Sequence, residues 1–153
     1  MIFLRTLISV AILPGLVALF LPWLIVQPES WPTGLALVGL VPLVLGLGLA
    51  AWCVMLFATR GRGTPAPWDA PRRFVAIGPY RLMRNPMYLG MGAVVLGEAV
   101  LFASWPLALY LIVLVLVWHA FVVLWEEPSL ERTFGDEYRS YRESVPRWLP
   151  RMS

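Results

Sequence analysis

Two short polar stretches of this chain hold residue types that can do chemistry. The first, from Gly78 to Gly90, reads GPYRLMRNPMYLG and sets Tyr80, Arg81, Arg84, Asn85 and Tyr88 around Pro79 and Pro86. The second begins at Glu126-Glu127-Pro128. Adjacent glutamates at the end of a helix call for a cation beside them, because the C-terminal end of the helix dipole disfavours acids. Arg81, Arg84 or a ligand would supply it. His119 precedes Glu126 by seven residues. That spacing puts both on nearly the same helix face, with His119 about 10 Å deeper. The spacing predicts a cavity with His119 towards its floor and Glu126 at its mouth. Glu98 stands apart, inside an apolar run. There it is a buried base, a gate or a neutral packing residue, since ionisable groups in such runs are rare and tend to be functional. Gly90-Met91-Gly92 is a GxG, but no strand precedes it, so it reads as helix packing rather than phosphate binding.

Composition says what surrounds these groups. The 153 residues are 59% hydrophobic and 14% charged, outside the globular mix and typical of a membrane protein. The net charge of +3 comes from arginine alone, for there is no lysine. Most of the arginines flank apolar runs, which points to a membrane surface and not to nucleic acid. A single cysteine, Cys53, excludes an intrachain disulfide, and one Cys with one His leaves no structural metal site.

The elements that must position the polar groups follow from the apolar runs. The expected fold is all-α: one transmembrane domain over residues 1–153, with spans at about 6–26, 33–58, 86–103 and 107–125. A bilayer needs about 20 apolar residues per helix. Pro14 and Pro22 kink the first span, and glycines at 34, 39, 46 and 48 favour close helix packing in the second. Residues 59–85 form a surface loop with arginines at 60, 62, 72, 73, 81 and 84 and one acid, Asp69. Asn85-Pro86 reads as a helix start, Asn capping and Pro in the first turn. Ser104-Trp105-Pro106 reads as a tight turn. The tail, 126–153, carries Leu130, Phe134, Tyr138, Tyr141, Val145 and Trp148 at spacings of three and four, the stripe of an amphipathic helix. Gly135-Asp136 would divide it, and the stripe would lie against the membrane or over the 59–85 loop. Six arginines in the loop and five in the tail, against none in the turns 27–32 and 104–106, place loop and both termini in the cytoplasm. Trp23, Trp31 and Trp105 then mark the outer interface, and Trp68, Trp125 and Trp148 the inner one.

With those residues laid out, the second half of the chain resembles the isoprenylcysteine carboxyl methyltransferase family and the related phospholipid N-methyltransferases. The resemblance rests on Gly78-Pro79-Tyr80-Arg81, on Arg84-Asn85-Pro86-Met87-Tyr88-Leu89-Gly90, and after the last span on Glu126-Glu127, Leu130, Phe134-Gly135, Tyr138, Tyr141 and Pro146-Arg147. It implies a small integral membrane enzyme that uses S-adenosylmethionine and methylates a lipid or prenylated acceptor. Its cofactor pocket would face the cytosol. Arg84 and Glu127, with Glu98 as a further candidate, would be catalytic. Tyr80, Arg81, Pro86, Tyr88, His119, Glu126, Glu127, Tyr138 and Tyr141 would hold the cofactor, and Tyr88 or Trp118 would face its sulfonium. One departure stands out: position 85 is Asn where the family usually has His. Two other readings compete, a sterol-reductase-like membrane enzyme using a nicotinamide and a non-enzymatic four-span scaffold. The scaffold leaves the clustered polarity at 78–90 and 126–127 without a purpose.

Overall fold

In a computed structural model the described residues are 11–26, 34–61 and 74–149. The turn 27–32, most of the arginine-rich loop (62–73) and the residues beyond 149 lie outside them. Most of the described residues are helical, and none of them is in a strand. A π-helical stretch, Ala11–Phe20, leads into α1 (Leu21–Ile25). A 3-10 stretch, Gly34–Gly39, leads into α2 (Leu40–Leu56), which runs on through a π turn, Phe57–Gly61. After the short turn Gly78–Arg81 come α3 (Pro86–Leu101) and α4 (Trp105–Phe121). The tail holds α5 (Glu127–Phe134) and α6 (Asp136–Ser144).

Two of these helical runs, Leu37–Gly61 and Trp105–Phe134, are long and apolar enough to cross a membrane. Two shorter apolar ones are Gly15–Ile25 and Pro86–Leu101. Only 11% of the most apolar part of Leu37–Gly61 and 22% of that of Trp105–Phe134 is buried within the chain. A core helix of a water-soluble protein would be mostly covered. Here rows such as Val41, Val44, Leu45 on α2 and Leu109, Ile112, Leu116 on α4 face outward. Apolar surface of that extent calls for lipid or a partner.

The centre of the fold is the antiparallel pair α2–α3. It is built on glycines seven apart on each helix. A Cβ on Gly97 would come within 2.6 Å of the Gly39 carbonyl, and one on Gly90 within 2.9 Å of the Gly46 carbonyl. With no side chain between them the two backbones touch, which is how helices associate where the hydrophobic effect between them is absent. Of the four glycines expected to pack in the second run, Gly39 and Gly46 do. Gly34 and Gly48 meet nothing within 4 Å; Gly34, at φ +57°, serves backbone conformation instead. The other face of α3 packs Met91, Val94 and Val95 against Ala18, Leu114 and Trp118. The Tyr110 hydroxyl on α4 donates to the Val17 carbonyl at 2.8 Å and ties the first helix in.

The tight turn falls earlier than expected. Phe102 to Ser104 make it, with Ala103 at φ +47°, and Trp105-Pro106 already open α4. Proline in the first helical turn loses no hydrogen bond, so the Pro marks the start of the helix and not the turn itself.

Candidate functional site

The fourth helix does not stop at the glutamates. It passes through a π turn, Val122–Glu126, and continues as α5. The Glu127 N–H reaches back to the Val122 carbonyl, five residues away. One extra residue in the turn shifts the helical register. Val122 is buried, and Glu127, five residues on, comes out on the same buried side. The same shift separates His119 from Glu126. His119 is exposed while Glu126 is half-buried.

Across from the glutamates stands the start of α3. Pro86 is buried at its first turn, as expected. Asn85 occupies the capping position but makes no capping hydrogen bond. Its side-chain amide donates instead to the Arg147 carbonyl at 3.1 Å, and the residue is only 6% exposed. Arg84 donates from Nη1 to Glu127 Oε1 at 2.8 Å. Tyr88, one turn into α3, donates its hydroxyl to Glu126 Oε2 at 2.9 Å. The two glutamates thus take different partners, one a guanidinium and the other a phenol.

The tail closes the third side. Gly135, at φ +55°, separates α5 from α6 as expected, in a conformation that excludes a side chain. The stripe turns towards the loop. Phe74 sits among Phe134, Tyr138 and Tyr141 with ring centroids 5.4, 6.0 and 5.0 Å away. The Tyr141 hydroxyl donates to the Tyr80 carbonyl at 2.6 Å. Burial raises the Tyr141 and Tyr138 phenols above their ordinary range. After α6 the chain returns to the site. Arg147 donates from Nε to Glu127 Oε1 at 2.7 Å and from Nη2 to Glu127 Oε2 at 3.0 Å. These bonds hold the Arg147 guanidinium charged and raise its pKa further. The Arg84 N–H donates to the Pro146 carbonyl at 2.9 Å.

Trp148 follows directly. Its indole N–H donates to His119 Nδ1 at 3.1 Å. Its ring centroid is 6.3 Å from that of Tyr88, and Trp118 is 5.3 Å from Tyr88 on another side. Expected near the inner interface, Trp148 stands beside Tyr88 and His119. Trp125, 64% exposed, and Trp23 and Trp105 do stand at the surface.

The site residues expected from the sequence therefore divide. Arg84, Tyr88, Glu126, Glu127 and Tyr138 come together, with Pro86 beneath them and His119 behind Trp148. Tyr80 is buried against Cys53 and Phe57 and makes no hydrogen bond to either glutamate among the described residues, and Tyr141 holds its backbone. Arg81 is exposed and touches neither glutamate. Glu98 lies in the last turn of α3, about 18 Å along the helix from Pro86. One of its carboxyl oxygens is buried without a hydrogen-bond partner among the described residues. Arg147 and Trp148 join the site without having been singled out as site residues. The signal for both was present, since Pro146-Arg147 belongs to the recognised pattern and Trp148 closes the tail stripe.

Chemically, the cluster offers two unlike subsites side by side. Glu127 is spent: three guanidinium N–H groups already occupy its two oxygens. Glu126 is freer, with one oxygen on Tyr88 and the rings of Tyr88, Trp118 and Trp148 near by. A carboxylate among aromatic faces suits a cation. Arg84 has a buried Nε–H with no hydrogen-bond partner among the described residues, a donor an anion would satisfy. Among the described residues no cluster of His, Cys, Asp and Glu could hold a metal ion.

A family model described as phospholipid methyltransferase matches residues 35–137, two thirds of the chain, from α2 through the start of α6. An uncharacterized protein of Haemophilus influenzae is 38% identical over 63 residues, which is 41% of this chain and the whole of that protein.

Proposed function

The chain belongs to the phospholipid methyltransferase family, and from that membership we propose that it is an S-adenosylmethionine-dependent methyltransferase acting on a lipid or lipidated acceptor at the cytosolic face of a membrane. The observation that carries the reading is the pairing of the two subsites. The donor has a carboxylate, an ammonium and a sulfonium, so it needs a cation, an anion and an aromatic face close together. Arg84, whose Nε has no hydrogen-bond partner among the described residues, Glu126, and the rings of Tyr88 and Trp118 are those groups. The residues fit.

When bound, S-adenosylmethionine supplies a methyl group on a positively charged sulfur. The chain supplies position and dryness. Arg84 takes the carboxylate, and Glu126 takes the ammonium or the ribose hydroxyls. Tyr88 orients Glu126 through its hydroxyl and turns its ring to the positive charge. Trp118 and Trp148 exclude water, which matters because an in-line displacement gains mainly from alignment and exclusion of competing nucleophiles. Glu127 contacts the two arginines and fixes the wall. The reading assigns no step to Glu98.

The same reading has four spans, formed by 11–25, 37–61, 86–101 and 105–126. Loop and termini are cytosolic, because the arginines are gathered on that side. A polar donor then arrives from the cytosol and a lipid acceptor from the bilayer, and both meet where Tyr88 and Glu126 stand.

Calorimetry of the detergent-purified protein with S-adenosylhomocysteine tests this. Saturable binding is expected, weakened by Glu126→Gln and lost in Tyr88→Ala. A folded, monodisperse protein that takes up no S-adenosylhomocysteine, or from which a nicotinamide displaces it, would overturn the reading.

A further inference from the structure

Residues 145–149 form a strap that leaves α6 and crosses back over the start of α3. Four contacts hold it there. The Arg84 N–H reaches the Pro146 carbonyl, and the Asn85 amide reaches the Arg147 carbonyl. The Arg147 guanidinium grips both oxygens of Glu127, and the Trp148 indole reaches His119. These contacts span 62, 62, 20 and 29 residues of sequence. Local folding therefore does not produce them. They form only when the tail docks on the helix pair. The strap also lies beyond the residues that the family model matches.

The arrangement has a consequence for the acid pair. Glu127 is 7% exposed, and an unpaired carboxylate at that depth is costly. Arg84 alone covers one oxygen, and Arg147 covers both in the side-by-side geometry that a planar guanidinium allows and an ammonium does not. With Glu127 held on that side, Glu126 next to it is left to Tyr88. Trp148, one residue past Arg147, is set against the Tyr88 ring. Asn85 fixes the backbone at the hinge of the two, and the neutral amide is a donor suited to that carbonyl.

We propose that Arg147 and Asn85 are positioning residues of the donor site, clasping the strap to the start of α3 so that Glu126, Tyr88 and Trp148 converge on one bound donor. The proposal rests on the methyltransferase reading and deepens it. In this chain position 85 works as a tether for the tail. It transfers no proton and touches no donor atom. Binding of the donor against Trp148 and binding of the strap to α3 are then one linked equilibrium, each strengthening the other.

Hydrogen–deuterium exchange of the detergent-purified chain, with and without S-adenosylhomocysteine, reads the strap directly. The amide of Arg84 and those of residues 147–149 should slow on binding. Arg147→Lys and Asn85→Ala should raise the S-adenosylhomocysteine dissociation constant by roughly tenfold, the loss of about one charge-assisted or buried hydrogen bond. Strap protection on binding should fall in both variants, while the KM for an aminophospholipid acceptor presented in vesicles stays within about twofold. Asn85→Gln or Asn85→His, each able to donate a hydrogen bond, should recover part of the affinity. Unchanged exchange in the strap on binding, or variants that bind as the parent does, would overturn the clasp and leave the methyltransferase reading intact. Equal losses for donor and acceptor would reduce both residues to general fold stability and overturn it also. If the parent chain itself takes up no S-adenosylhomocysteine, the methyltransferase reading falls first.

Discussion

Tyr88 does two things at once, and they can be separated. Its hydroxyl holds Glu126 at 2.9 Å, and its ring lies between Trp118 and Trp148. Tyr88→Phe keeps the ring and drops the hydroxyl, so calorimetry should show donor affinity reduced by roughly three- to tenfold with the melting temperature unchanged. Tyr88→Ala should cost more, because the aromatic face goes as well. Residue type and spacing brought Arg84, Tyr88 and the glutamates to notice. They did not reveal that Glu127 is already taken by arginines while Glu126 is the freer of the two. That division depends on a π turn one residue out of step with an ordinary helix, and composition carries no mark of it. Asn85 is the same kind of case. A capping role was legible from Asn-Pro, but a carbonyl 62 residues away competes for the amide and wins.

At the scale of elements, the α2–α3 pair is where backbone contact replaces side-chain packing. Gly90→Val has no room, since its Cβ would already meet the Gly46 carbonyl at 2.9 Å and the Ala50 N–H nitrogen at 3.0 Å. It should destabilise by about 1–3 kcal/mol, read as a lower melting temperature in detergent. Gly48→Ala, where nothing lies within 4 Å, should leave that temperature unmoved. If both variants melt alike, the glycine contact is not what holds the pair. The tail docks by a different chemistry, through buried phenols. Tyr80, Tyr138 and Tyr141 all have raised pKa values, chiefly because burial disfavours the phenolate. A folded pKa above the unfolded one means stability that is complete below about pH 10, the ordinary tyrosine value, and is lost as pH rises through the folded values. Alkaline titration followed by the near-ultraviolet signal should therefore show the docked tail unaffected at neutral pH and released only at high pH. Release below pH 9 would mean that other groups hold it.

For the molecule as a whole, the question is which way it faces. The exposed apolar rows on α2 and α4 call for lipid or a partner, and in the proposed orientation the clustered arginines put the polar end in the cytosol. Ser104→Cys, in the turn before α4, should react with an impermeant maleimide from outside the cell. Ser140→Cys, exposed on α6, should react only after the membrane is opened. Cys53 is fully buried and contributes no background. Labelling of Ser140→Cys in intact cells would invert the proposed orientation and move the donor site to a compartment without the donor.

Much was readable without coordinates. The apolar runs, the Pro-marked start of α3, the break at Gly135, and the family pattern are local properties. Hydropathy, a fixed φ and a missing Cβ act on their own neighbourhood and need no partner. What the tertiary structure decided is everything that depends on a distant partner. It chose which two of four glycines pack, because only those lie opposite another glycine. It placed Tyr80 in the core beside Cys53 and set Trp148 against Tyr88 and His119. It brought Arg147 onto Glu127 across a turn and two helices. Those outcomes are pairings between segments, and a single segment carries one half of each.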